Sequence, residues 1–147
     1  MILVTGGCGF IGSAFILDWL NERRGSVLNL DLLPSAGPPG NLREVQGRSD
    51  YRFVRGDIAD APLVARLLGE HRPRAIVHFA AESHVDRSIA GPEASTQTNV
   101  VGTWRLLQAA HDHWRALPAA EAAALRFINL STDQVCGSLG PRDAGVD

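Results

Sequence analysis

The stretch VTGGCGFIG, residues 4–12, constrains the fold of this chain more than any other. A short apolar run at 2–5 enters it, and a helical pattern from 10 to about 24 leaves it. Gly6, Gly9 and Gly12 therefore stand at every third position of a strand-to-helix turn. In such a turn Gly6 allows the tight bend, and Gly9 lets a pyrophosphate approach backbone N–H groups. Gly12 permits close packing of helix on sheet, and the helix N-terminus presents partial positive charge to the phosphates. Glycines that serve packing alone would give the same triplet, so the surrounding residues decide. Asp31 ends the next strand-like run, VLNLD, near the roughly 20-residue spacing at which an acid meets a ribose diol. No Arg or Lys follows Asp31 at once to hold a 2′-phosphate, so NAD is expected over NADP.

Strands and helices go on alternating. YRFVR at 51–55 reads as a third strand, and Asp60 is placed to cap a helix reaching about 71. RAIVHF at 74–79 reads as a fourth strand. A long helix is predicted to start near Pro92, a favoured first-turn residue, and to run through TNVVGTWRLLQAAHDHW. RFINL at 126–130 is a fifth strand. Strands separated by helices need right-handed crossovers and a parallel sheet covered on both faces. The predicted class is thus α/β, a Rossmann-type doubly wound parallel sheet of about five strands in the order 3-2-1-4-5. Residues 32–50, rich in Pro, Gly and Ser, read as one long loop, because a strand follows at the expected place.

Composition narrows the function classes. The 147 residues suit one domain with a single core, and a net charge of −2 offers no basic excess for nucleic acid. MILVTGG leaves no room for a signal-peptide core, and no apolar run approaches the roughly 18 residues of a membrane span. Cys8 and Cys136 show neither CxxC spacing nor a disulfide framework, so a reduced, cytoplasmic setting is expected.

Further candidate residues follow the third and fourth strands. Asp57, in GDIAD, sits on the same sheet edge as the glycine loop, within reach of an adenine ring on which Ile58 would pack. Taken alone, Asp57 could equally cap a turn. FAAESHVDRS, residues 79–88, follows the fourth strand, and strands one and four flank the switch point where open α/β sheets bind ligands. Ala80 and Ala81 leave room there for a nicotinamide ribose and pyrophosphate, and Ser83 can meet substrate oxygens. His84, Asp86 and Arg87 have the residue types of a triad or a metal cluster, but loop-ordering polar contacts are the expectation. His78 reads as a core residue of the sheet. His111 and His113, two apart on a helix, point different ways and make no metal pair. Trp104 and Trp114 read as packing residues.

The motifs VTGGCGFIGSAFI, NLDLL…GNL, GDIAD, AAESHVDRSI, TNVVGT and STDQVCG together resemble the dTDP-glucose 4,6-dehydratases. These are extended short-chain dehydrogenases/reductases of the NAD-dependent epimerase/dehydratase family. The glycine loop is common to that superfamily; ESHVDRS is narrower and points to nucleotide-sugar dehydratases, since a 4-epimerase would share fold and cofactor without that loop. The resemblance implies NAD contacts at Phe10, Ile11, Asp31, Leu32, Asp57, Ile58, Phe79, Ala80, Ala81, Ser83 and Thr98. It implies substrate contacts at Ser83 and Thr132, a nucleotide sugar of the dTDP-glucose type as partner, and a homodimer. The family reaction moves a hydride from sugar C4 to NAD, eliminates water across C5 and C6, and returns the hydride to C6. A tyrosine of a Tyr-x-x-x-Lys pair takes the C4 hydroxyl proton, an Asp protonates the leaving hydroxyl, and a Glu removes the C5 proton.

Two departures stand out. The family pattern Ser-Thr-Asp-Glu-Val-Tyr-Gly here reads Ser131, Thr132, Asp133, Gln134, Val135, Cys136, Gly137. Asp133 keeps the acid position, whereas Gln134 occupies the base position with an amide that accepts no proton near pH 7. Cys136 replaces an aromatic residue and reads as a structural thiol. No Tyr-x-x-x-Lys follows, and Tyr51, the one tyrosine, lies in a predicted strand. Residues 1–147 are therefore expected to be an incomplete NAD-binding Rossmann domain without the later strands or the substrate domain, inactive alone. Two alternatives stay open: a non-catalytic NAD-binding module, and an epimerase or oxidoreductase completed by another chain.

Overall fold

The computed structural model describes residues 1–33, 40–83, 92–132 and 135. Five strands, β1 (Ile2–Thr5), β2 (Val27–Asp31), β3 (Tyr51–Arg55), β4 (Ala75–His78) and β5 (Arg126–Asn129), form one sheet in the order β3-β2-β1-β4-β5. Every pairing is parallel, and the expected topology is borne out. Thr5 is level with Leu30 on one side and with His78 on the other, so the carboxyl ends of β1, β2 and β4 share an edge.

Alternate strand residues feed two apolar layers, as a sheet buried on both faces requires. Leu3, Leu28, Leu30 and Ile76 pack with Val64, Leu67 and Leu68 of α2 (Ala61–His71) and with Leu106 and Ala110 of a long helix. Ile2, Val4, Val27 and Val77 turn the other way, onto Ile16 and Leu20 of α1 (Phe10–Asn21). Leu42 and Val45 join this second layer from a 3₁₀ turn, Gly40–Val45, which corrects the reading of 32–50 as one loop. The two buried side chains anchor a segment whose composition resembles coil.

α1 stops at Asn21, three residues before its expected end, because Arg23 (φ 54°) and Gly25 (φ 124°) turn the backbone away. α2 begins as predicted: the Asp60 carboxylate accepts from the Leu63 N–H at 3.0 Å. The predicted long helix is three segments, α3 (Pro92–Thr96), a π turn (Gln97–Gly102) and α4 (Thr103–Ala116). A short helix, α5 (Ala119–Ala124), precedes β5 and was not anticipated. α4 turns Leu106 and Ala110 inward, while Trp104 (61% exposed) and Trp114 (45%) lie outward, contrary to their expected packing role. β5 is covered on one side only: Phe127 meets the core, whereas Ile128 and Leu130 remain about half exposed. Among the described residues no helix is long and apolar enough to cross a membrane.

Candidate functional site

The glycine loop joins β1 to α1 at the shared carboxyl edge. Gly6 adopts φ 69°, and a Cβ there would lie 2.5 Å from both N and Cα of Ala80. The loops after β1 and β4 thus touch backbone to backbone, which only glycine at position 6 allows. A Cβ on Gly12 would lie 2.4 Å from the Gly6 carbonyl oxygen, so this glycine seats α1 against the turn rather than against the sheet. Gly9, exposed, is the residue before α1, and no side chain caps that helix. The opening N–H groups of α1 lack intrahelical acceptors and are suited to an anion. Phe10 and Ile11 follow with exposed side chains.

Asp31 stands beside this opening. One carboxylate oxygen accepts from the Cys8 N–H and the other from the Leu33 N–H, both at 2.9 Å. Asn29, two residues earlier on the same strand face, is fully buried. Its Nδ2 donates to the Tyr51 hydroxyl at 3.0 Å and to Cys8 Sγ at 3.4 Å. Its Oδ1, without a hydrogen-bond partner among the described residues, sits where a Gly7 Cβ would meet it at 2.3 Å. Asn29 is a residue that sequence reasoning missed; the available signal was a lone amide in an otherwise apolar strand. Burial, then the neighbouring Asp31 charge, pushes the Cys8 thiol up to about 12, so it remains protonated and is no nucleophile. Burial also raises the Tyr51 hydroxyl, which suits a structural donor and acceptor.

Asp57 reaches the same edge, since the Gly56 N–H donates to the Asp31 carbonyl at 3.0 Å. Its carboxylate accepts from the Ala59 N–H at 2.8 Å, the turn-ordering role weighed for it. Ile58 requires a correction. Its side chain is 4% exposed and packed in the core, where its tip would lie 2.9 Å from a Cβ on Gly102, so little is left to cover a ring. Leu32 is exposed beside Asp31.

Beyond β4 the described loop residues run to Ser83. His78 is buried as expected, its Nδ1 2.6 Å from Thr5 Oγ1 and its Nε2 3.0 Å from Thr103 Oγ1. Burial lowers its pKa, favouring the neutral ring. The Phe79 ring packs on Phe15 of α1, with centroids 5.3 Å apart, so its backbone is what faces the edge. Ala80 is half-buried on Gly6, Ala81 and Ser83 are exposed, and Thr98 is half-buried in the π turn. Asn99, which follows Thr98, pairs with the backbone of Glu82 through both ends of its carboxamide. Thr132 lies exposed just past β5, whose register continues as the Leu130 N–H donates to the His78 carbonyl at 3.0 Å. Asp133, Gln134 and Cys136 lie outside the described residues, as do His84, Asp86 and Arg87.

The family model described as GDP-mannose 4,6 dehydratase matches residues 3–144. The dTDP-glucose 4,6-dehydratase of Xanthomonas campestris pv. campestris (strain B100) is 55% identical over 138 residues, 94% of this chain and 39% of the relative. The dTDP-glucose 4,6-dehydratase 1 of Escherichia coli (strain K12) is 49% identical over 138 residues, 94% of this chain and 38% of the relative. A crystal structure of the Streptomyces venezuelae dTDP-glucose 4,6-dehydratase with NAD bound superposes with a TM-score of 0.78 at 47% identity, covering 99% of this chain and 42% of that one. The chain thus spans about two-fifths of the length of the relatives it matches. With its five-stranded order and its glycine turn in place, the chain belongs to the GDP-mannose 4,6 dehydratase family and is similar over nearly its whole length to dTDP-glucose 4,6-dehydratases.

Proposed function

We propose that residues 1–147 form the NAD-binding portion of a dTDP-glucose 4,6-dehydratase, which converts dTDP-glucose to its 4-keto-6-deoxy product and water. The observation that carries this reading is the uncapped N-terminus of α1 with the Asp31 carboxylate fixed beside it through the Cys8 N–H. The residues present fit a dinucleotide: glycines where side chains would clash, open N–H groups for a pyrophosphate, and an acid for a ribose diol. When bound, NAD supplies the hydride acceptor and donor of the family reaction. The chain's own residues orient it: Phe10 and Ile11 offer backbone N–H groups while the Gly9 N–H is held by the Gly6 carbonyl, Asp31 binds the ribose, and Asp57 bounds the adenine end. Phe79, Ala80, Ala81, Ser83 and Thr98 border the other end.

For the sugar, Ser83 and Thr132 are proposed contacts and Asp133 the acid that protonates the leaving C6 hydroxyl. Gln134, at the base position, leaves removal of the C5 proton without its usual acceptor. A homodimer through the π turn and α4 is supported by Val100 of the turn and by Trp104 and Leu107 of the helix, apolar and half or more exposed. Calorimetric titration tests the cofactor reading. NAD should bind more tightly than NADP, and Asp31→Ala should weaken NAD far more than Asp147→Ala. Equal or tighter binding of NADP would overturn the role given to Asp31.

A further inference from the structure

We infer that Asn99 is a positioning residue that sets dinucleotide affinity by fixing the loop after β4, without touching the ligand. The inference rests on the NAD-binding reading above. Asn99 Oδ1 accepts from the Glu82 N–H at 2.8 Å, and its Nδ2 donates to the Glu82 carbonyl at 3.0 Å. These two bonds match the donor and acceptor pair that a neighbouring strand would present, at a point where β4 has already ended. A carboxamide alone among side chains of this size offers one donor and one acceptor in that arrangement.

The placement of Asn99 accounts for the π turn. Downstream, α4 is tied to the sheet, because Thr103 Oγ1 is hydrogen-bonded to His78 and Gly102 abuts Ile58. Upstream, Asn99 must reach Glu82, 17 residues earlier. The wider turn at Gln97–Gly102 takes up the extra residue between the two attachments, and such turns recur at functional sites. The loop is then held at three successive places. The Phe79 N–H donates to the Thr5 carbonyl at 3.0 Å, Ala80 is seated on Gly6, and Glu82 is clipped by Asn99. Ser83, next in the chain, borders the crevice outside β1 and β4 where the nicotinamide half of a dinucleotide belongs. ADP reaches only the opposite half, at the glycine loop and Asp31.

The test compares NAD with ADP, both titrated into the full chain by calorimetry, for wild type, Asn99→Leu and Asn99→Asp. The aspartate keeps size and one acceptor but sets its second oxygen against the Glu82 carbonyl. Both variants should weaken NAD roughly tenfold, as expected for loss of two modest hydrogen bonds, and leave ADP unchanged. Hydrogen exchange at the Glu82 amide should be slow in wild type and fast in Asn99→Leu, whatever the ligand. Equal effects on NAD and ADP, no effect on either, or unaltered exchange would overturn the role of Asn99. A wild-type chain that binds neither ligand, with the exchange difference intact, would instead remove the cofactor reading on which it rests.

Discussion

Replacing Gly6 with alanine tests the backbone contact on which the site is built. Two costs add at this position. Alanine at φ 69° costs about 1–2 kcal/mol relative to an ordinary conformation. Its Cβ would also lie 2.5 Å from N and Cα of Ala80, backbone atoms tied to β4 that cannot swing aside, and forced overpacking costs about 1–3 kcal/mol more. The sum is about 2–5 kcal/mol, a large part of the stability of a domain this size. Two control substitutions separate the terms. Gly47 has φ 85° with nothing within 4 Å of a Cβ, so Gly47→Ala should show the conformational cost alone. Gly69, inside α2 and equally unobstructed, has no positive φ, so Gly69→Ala should stabilise by about 0.5–1 kcal/mol. Urea unfolding followed by circular dichroism orders the three. If Gly6→Ala costs no more than Gly47→Ala, the loops after β1 and β4 do not meet as described.

Stability should also depend on pH through His78. Burial lowers its folded pKa below the ordinary value of 6.5, so the unfolded chain binds the extra proton first. The contribution is present above about pH 6.5 and is lost as pH falls through the folded value; unfolding midpoints between pH 5 and 8 should show this loss, and His78→Gln should reduce it. Gln134→Glu, in a chain completed by the C-terminal part of a related dehydratase, should speed formation of the 4-keto-6-deoxy product by about 10²-fold or more. Equal turnover of the two forms would show that position 134 does not carry the base. Trp104→Asp should convert a dimer to a monomer in sedimentation without changing the circular dichroism spectrum; a monomeric wild type would refute the proposed use of α4.

The sheet was legible because its strands carry one message on both faces. Leu3 and Ile2, Leu28 and Val27, Ile76 and Val77 are apolar neighbours facing opposite layers, and helices on both sides follow. The Asp60 cap was legible for the same local reason, a carboxylate one residue before the helix. The outward placement of Trp104 was not. α4 carries two apolar stripes, Leu106 with Ala110 and Trp104 with Leu107, and periodicity cannot say which one meets the sheet. The 3₁₀ turn at 40–45 was hidden by a composition that resembles coil, its order coming from burial of Leu42 and Val45 under α1. At the candidate site, spacing located Gly6 and Asp31 but not the side chains that hold them. Asn29 contacts Tyr51 across 22 positions and Asn99 contacts Glu82 across 17, and no local pattern encodes such distances.

Those supporting residues divide the binding edge into two parts braced from opposite layers. On one side, Asn29 and Tyr51 tie the glycine loop to β2 and β3, and Asp31 fastens it again through the Cys8 N–H. On the other side, His78 and Asn99 tie the loop after β4 to α4 and the π turn. The two parts meet at the edge through the Gly6–Ala80 approach and the hydrogen bonds of Thr5 with His78 and the Phe79 N–H, supported by the Phe15–Phe79 ring contact below. A ligand lying across the edge would therefore draw on two separately ordered halves, each fixed before it arrives, and would lose less freedom on binding than one that had to order a loose loop. Among the groups in this bracing, burial keeps Cys8 and Tyr51 uncharged, Asp31 braces as a carboxylate, and the Arg55 guanidinium donates to the Leu32 and Leu33 carbonyls beside it. The tyrosine of this chain belongs to that bracing: its hydroxyl accepts from Asn29 Nδ2, which also reaches Cys8 of the glycine loop.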